Sequence, residues 1–238
     1  MKTVIHKENT RGYASHGWLN AKHSFSFGSY YNPERINFGA LRVLNDDTIS
    51  GGMGFGKHPH DNMEIITIPL EGILEHQDSM GNISQIKKGE IQVMSAGTGI
   101  FHSERNKSQT ELLKLLQIWV IPNERNVEPR YDEITLNLDE QINKLHQIVS
   151  PNQNEEGLWI HQNAWFYLGK FEENYTFDYS IKNEKNGVYI FVIEGGFSVQ
   201  EIDLSRRDGL GIWETNHFSI KSNAADSQIL LIEVPMNS

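Results

Sequence analysis

Four side chains in two short stretches have the types and spacing to hold a metal ion. The first stretch is Gly52-Met-Gly-Phe-Gly-Lys-His58-Pro-His60-Asp-Asn-Met-Glu64, and the second is Ser95-Ala-Gly-Thr-Gly-Ile-Phe-His102-Ser-Glu104. Side chains of an extended chain alternate between faces with period two. His58 and His60 then point the same way with Glu64 in phase, and His102 and Glu104 form a second same-face pair. Two such pairs on neighbouring strands of a narrow barrel converge on one interior point. Imidazole nitrogens and a carboxylate oxygen suit iron, nickel, copper, manganese or zinc better than calcium or magnesium. A single histidine on a strand would mean little, because most are hydrogen-bonded structural residues. The compound pattern carries the reading: His-x-His-x3-Glu, then Gly-x-Gly-x2-His-x-Glu. The spacing alone leaves Glu64 and Glu104 both open as the carboxylate ligand.

The elements that must position these groups read as strands. Leu41-Arg-Val-Leu44, Met63-Glu-Ile-Ile-Thr-Ile68, Ile91-Gln-Val-Met94 and Leu115-Leu-Gln-Ile-Trp-Val-Ile121 are β-branched or apolar runs. Trp165-Phe-Tyr-Leu168, Gly187-Val-Tyr-Ile-Phe-Val-Ile193, Gly196-Phe-Ser-Val199 and Ile229-Leu-Leu-Ile-Glu-Val234 repeat the pattern later. Turn signals such as Asn45-Asp46-Asp47 and Met80-Gly81-Asn82 recur along the chain. Many short strands so spaced predict an all-β sandwich or barrel. One helix is expected over Asn137 to His146, where Leu138, Ile142 and Leu145 have helical spacing. It lies in the least strand-like part of the chain, from Pro122 to Gly157, where the connection between two domains is placed. Pro69-Leu-Glu-Gly72 is echoed by Val192-Ile-Glu-Gly195, each after an apolar strand. The echo predicts two tandem antiparallel β-barrels, residues 1–135 and 136–238, joined by a short helical connection.

Composition narrows the chemistry further. The chain has 238 residues, 38% of them hydrophobic, and no cysteine. Disulfides, thiolate ligands and a cysteine nucleophile are therefore excluded. No apolar run approaches the ~18 residues of a membrane span, and Met1-Lys-Thr-Val-Ile-His-Lys-Glu8 lacks an apolar signal region. A cytoplasmic protein is expected. The net charge is −10, and no basic run exceeds Arg206-Arg207 or Lys87-Lys88. Direct nucleic-acid binding, which needs a clustered basic footprint, is not expected. Gly97-Thr98-Gly99 lacks the helix and lysine of a phosphate loop, and reads as a tight turn presenting His102. His16 and His23 lie in an aromatic stretch, Trp18 to Tyr31, that reads as a packed barrel edge.

These motifs resemble the pirin family of the cupin superfamily, especially its bacterial members described as quercetin 2,3-dioxygenases. Gly52-x5-His58-x-His60-x3-Glu64 is similar to the first cupin motif, and Met94-Ser-Ala-Gly-Thr-Gly-Ile-x-His102-Ser-Glu104 to the second. Between them, Leu70-Glu-Gly72 and Glu75-His76-x-Asp78-Ser-x-Gly-Asn82 resemble the family's intervening strands. His16-Gly-Trp-Leu19, His23-Ser-Phe-Ser-Phe27, Leu41-Arg-Val-Leu-Asn-Asp-Asp47 and Asp208-Gly-Leu-Gly-Ile-Trp213 also match, so the likeness runs through nearly the whole chain.

The resemblance implies a bicupin of double-stranded β-helix, or jelly-roll, type with one divalent metal in the N-terminal barrel. Fe(II) is the expected ion, with Ni, Co, Mn, Cu or Zn as alternatives. It assigns His58, His60, His102 and Glu104 as ligands and leaves Glu64 as a residue beside them or in the pocket. The second half departs from the motif. Ile181 and Asn183 stand where the first histidine pair would fall, and neither His161 nor His217 has a ligand-like companion. A metal-free second barrel is expected.

The activity implied is a dioxygenase acting with O2 on a small enolic aromatic compound, a flavonol such as quercetin, opening the ring with loss of carbon monoxide. The metal is expected to ease loss of the substrate hydroxyl proton, with Glu104 as an alternative acceptor. Glu64 is expected to orient a ligand imidazole or receive a proton, and Met53 and Phe55 are expected in the pocket wall. The alternative from a different class is a non-enzymatic, iron-dependent, redox-responsive interaction protein. That reading calls for a charged patch near the metal mouth, around Arg105 and Lys107.

Overall fold

The computed structural model describes residues 1–237. Its regular structure is β throughout, apart from two three-residue 3-10 turns, Glu8–Thr10 and Leu138–Glu140. The strands form two seven-stranded and two four-stranded sheets. In the first half the larger sheet runs Arg130–Thr135, Glu90–Ser95, Glu64–Glu71, Leu113–Val120, Leu41–Ile49, Leu19–His23, Gly12–Ser15. The smaller one runs Gly54–His60, Ile100–Asn106, Ile73–Asp78, Ile83–Lys87. The second half repeats the plan around Asn186–Glu194 and Ser227–Pro235. Its large sheet also includes the N-terminal strand Lys2–His6, which pairs antiparallel with Gly209–Trp213.

Apolar burial decides how these sheets stack. Leu19, Ile49, Leu113 and Leu115 of the first large sheet meet Leu74 and Ile86 of its small partner. Val188, Ile190 and Leu231 do the same with Tyr179, Phe197 and Phe218 in the second half. The third cluster lies between the two large sheets, where Leu44, Ile66, Leu116 and Ile118 face Phe166, Tyr189, Phe191 and Leu230. A large sheet is therefore covered on both faces, which is why its strands read as nearly unbroken apolar runs. Each such side chain contributes about 1.5–3 kcal/mol when fully buried.

The helix expected over Asn137 to His146 does not form. Leu138–Glu140 is one short turn, begun by the Asn137 side chain accepting from the Asp139 amide, and Lys144–Ser150 is a strand. Between them Asn143 sits at φ 63, a left-handed conformation that no right-handed helix contains. The three apolar residues that suggested a helix face different surroundings. Leu138 packs on the cluster between the sheets, Leu145 on the second-half core, and Ile142 is exposed.

Candidate metal centre

The Gly54–His60 and Ile100–Asn106 strands are antiparallel neighbours in the small sheet of the first half. Their register sets His102 opposite His58 and Ile100 opposite His60. Burial alternates along Ile100–Asn106, so His102 and Glu104 lie on the inward face, each about 1% exposed. Gly97 turns the chain into this strand at φ 49, where a Cβ would stand 2.1 Å from the Val127 carbonyl oxygen. Only glycine fits there without displacing backbone.

The three imidazoles converge. Ring centroids are 4.4 Å apart for His58 and His102, and 4.9 Å for both His58–His60 and His60–His102. One donor atom from each lies within 4.8 Å of the others. The Gly56 carbonyl accepts from His58 Nδ1 at 2.7 Å, which leaves Nε2 as the free lone pair. Neither ring nitrogen of His102 has a partner, although both are buried. Glu104 is held at one oxygen only: Gln117 Nε2 donates to Oε2 at 2.7 Å, and Oε1 is buried and unpartnered. Glu104 groups with His102 and His76, however, and not with His58 and His60.

Burial makes His60 and His102 poor bases. It lowers His102 to about 2, helped by His58, His60 and His76, and lowers His60 to about 4, helped by His58. Neutral imidazoles with free lone pairs are what a cation requires. Burial pushes the Glu104 carboxyl up to about 7, against the downward pull of the Gln117 hydrogen bond. Three converging imidazoles, with buried unpartnered donor atoms on His102 and on the neighbouring Glu104 carboxylate, fit a first-row divalent ion.

Because Glu104 must lose its proton to act as a ligand, metal uptake should depend on pH in a defined sense. Affinity is expected to fall about tenfold for each pH unit below about 7, where one proton is released per ion, and to level off above, where none is. Calorimetric titration with Ni(II) in buffers of different protonation enthalpy measures both. Equal affinity at about pH 5.5 and about pH 7.5 would contradict this account of Glu104.

A cavity of about 620 Å³ opens beside these groups, lined by His58, His60 and Glu104 together with Trp18, Phe27, Phe55 and Trp119. The aromatic residues form two edge-on pairs, Trp18–Phe55 and Phe27–Trp119, each with centroids 5.3 Å apart. Trp119 also meets His60 edge-on at 4.9 Å. His16 and His23, read from sequence as a packed edge, line the same cavity. His23 Nδ1 lies 2.8 Å from Asn45 Oδ1. Met53 is 42% exposed and lies outside this cavity.

Glu64 is elsewhere. Asn62, at φ 46, breaks the extended run after His60, so the phase linking Glu64 to the histidine pair is lost. The Glu64 carboxylate accepts from Ser95 Oγ at 2.6 Å and meets His161 Nδ1 at 3.2 Å. It is not among the residues lining the cavity. Sequence reasoning also passed over Asn45, Asp47 and Gln117, which line the cavity, and the buried His76 beside it. Asn45 and Asp47 share the inward face of Leu41–Ile49 with Ile49, and Asn45 pairs in register with Gln117. Polar residues in phase on the buried face of an apolar strand were the signal. Burial raises Asp47 to about 8, assisted by Asp46 and Glu104.

Comparison with known proteins places these features among relatives. Residues 4–120 match the Pirin family, and residues 147–234 match a family described as the quercetinase C-terminal cupin domain. A quercetin 2,3-dioxygenase from Escherichia coli (strain K12) is 43% identical over 231 residues, 97% of this chain and 98% of the relative. A putative quercetin 2,3-dioxygenase from Pseudomonas aeruginosa is 40% identical, covering 94% of this chain and 95% of that one. The crystal structure of a bacterial pirin, YhhW from Escherichia coli, in complex with nickel(II) superposes with a TM-score of 0.93. It is 42% identical, over 98% of this chain and 99% of that chain.

Proposed function

The chain belongs to the pirin family, with cupin architecture in its second half, and from that premise we propose that it is a metal-dependent dioxygenase that opens the heterocycle of a flavonol such as quercetin. In this reading the two halves are tandem cupin barrels, and the first holds one divalent ion, Fe(II) by preference, through His58, His60, His102 and Glu104. The observation that carries the reading is the cluster of unpartnered imidazole and carboxylate donors at a cavity walled by two aromatic pairs.

When bound, the ion supplies Lewis acidity at a substrate hydroxyl and a redox partner for O2. The protein's own residues do the rest. The pairs Trp18–Phe55 and Phe27–Trp119 in the cavity wall offer apolar surface to a flat aromatic ring. The cavity volume of about 620 Å³ is within the ordinary range for a small-molecule site. Glu104 Oε1, the one oxygen of that carboxylate without a partner, would hold the ion and, once released from it as substrate enters, would accept the hydroxyl proton of the substrate. Gln117 fixes the other oxygen of that carboxylate and so aims the free one. Trp119 buttresses His60, and the Gly56 carbonyl sets the tautomer of His58. Both atoms of O2 would enter the ring-opened ester product as the hydroxyl-bearing ring carbon leaves, with its own oxygen, as carbon monoxide.

Protein loaded separately with Fe(II), Ni(II), Co(II), Mn(II), Cu(II) or Zn(II) should be incubated with quercetin while O2 uptake and flavonol absorbance are followed. Stoichiometric loss of both is expected with at least one redox-active metal. Rates equal to metal-free protein for every metal would overturn the proposed substrate. The interaction-protein reading is not favoured. Of the charges it requires, Arg105 donates to the Gly52 carbonyl at 2.9 Å and Lys107 hydrogen-bonds Gln85, so both serve the local strand ends.

A further inference from the structure

We propose that this chain has a second, closed cation position, formed by His76, His102 and Glu104 behind the open one, and that a single ion occupies one or the other. The proposal rests on the metal-binding part of the reading above and on nothing in its choice of substrate. The donor atoms of these three residues lie within 4.8 Å of one another, as do those of His58, His60 and His102. His102 belongs to both groups, and Glu104 is assigned to both in this reading, so one ion satisfies these shared ligands at one position at a time.

His76 stands opposite Glu104 in the register between Ile73–Asp78 and Ile100–Asn106. It is fully buried, and its Nδ1 has no partner. Its Nε2 lies 3.5 Å from Asp78 Oδ2. A carboxylate behind one ring nitrogen, with the other left bare, is how proteins fix the tautomer and aim of a ligating histidine. Asp78 cannot turn away, because it accepts from the Met80 amide at 2.9 Å, the Asn82 amide at 3.0 Å and Asn82 Nδ2 at 2.7 Å. The Tyr131 ring stacks on His76 with centroids 4.8 Å apart and planes 26° from parallel, so the imidazole is also held in orientation. A histidine so prepared, facing the unpartnered Glu104 Oε1 and the unpartnered His102 ring, has the features of a ligand.

The two positions differ in access. His76, His102 and Glu104 are all at most 1% exposed, whereas His58 and His60 are half-buried and line the cavity. Closed sites hold metal without reacting, and open ones keep a coordination position for substrate. An ion in the deep position would be counted by elemental analysis and would be silent toward cavity ligands.

The test uses the full chain and Co(II) as the probe. Wild-type protein, the double variant His58→Ala/His60→Ala and the triple variant adding His76→Ala are titrated with Co(II), and the visible absorption is read with and without azide. The double variant should still take up one equivalent of Co(II), with a spectrum that azide leaves unchanged. The triple variant should lose at least 10-fold in affinity relative to the double, while the wild-type spectrum responds to azide. His58→Asn/His60→Asn is a second background of the same design, used if the alanine pair does not fold. A folded double variant that binds no Co(II), or a triple variant that binds as tightly as the double, overturns the closed position. Failure of wild-type protein to bind Co(II) would instead remove the metal reading itself.

Discussion

His102→Ala is expected to lower affinity for a divalent cation by well over 100-fold, the largest loss of any single substitution in the centre. Loss of a residue that merely orients a ligand costs about 10–100-fold, and His102 belongs to both groups of candidate ligands. In metal-free protein the same change costs only the packing of a buried ring, because no hydrogen bond is lost: neither ring nitrogen of His102 has a partner. Glu64→Ala is the informative contrast. Its carboxylate is buried and bonded to Ser95, with His161 beside it, so its removal should destabilise the fold while leaving metal affinity near wild type. Calorimetric titration with Ni(II), paired with thermal unfolding of the metal-free proteins, separates the two behaviours. Retention of affinity in His102→Ala together with its loss in Glu64→Ala would reverse the assignment.

Glu104→Gln should reduce flavonol turnover by at least about 100-fold, the usual contribution of a positioned proton acceptor. The variant loses the anionic ligand and the acceptor together while keeping nearly the same shape. It should also make metal-free protein more stable, and the sign follows from burial. The carboxyl is raised from 4.5 to about 7 in the folded chain, so folding favours its protonated form. Wild-type stability therefore declines as pH rises through that interval and levels off above about 7. Glutamine carries no such penalty. The variant's advantage should be near zero at about pH 4.5 and on the order of 3 kcal/mol at about pH 8. Urea unfolding of both proteins across that range measures it, and an advantage independent of pH would contradict the buried, costly carboxylate.

How much of this was legible in sequence depended on whether strand alternation stayed unbroken. It held across His102-Ser103-Glu104, where every second residue faces inward, and across His58-Pro59-His60. It failed for Glu64, because the left-handed Asn62 starts a new strand with its own phase. The all-β class was readable because strands covered on both faces leave long apolar runs. Helical spacing at Leu138, Ile142 and Leu145 misled for the same reason that it attracts notice: three apolar residues at that spacing also occur where a turn, an exposed loop and a strand follow one another. Asn45 and Asp47 were hidden in Asn45-Asp46-Asp47, read as a turn although it lies inside the strand Leu41–Ile49, and Gln117 in a run read as an apolar strand. Cross-strand register sets Asn45 beside Gln117, and the stacking of the small sheet on the large one brings Gln117 within reach of Glu104; no local pattern encodes either. His76 lay within a recognised motif, yet its meaning depends on Asp78 and Tyr131, one of them on a distant strand.

The most direct test of the central claim is anomalous diffraction from crystals of nickel-loaded or iron-loaded protein, recorded at the metal edge. The account predicts one strong peak among His58, His60, His102 and Glu104, with imidazole nitrogens at about 2.1 Å. A peak held only by surface groups, or none between these side chains at full metal loading, would contradict it.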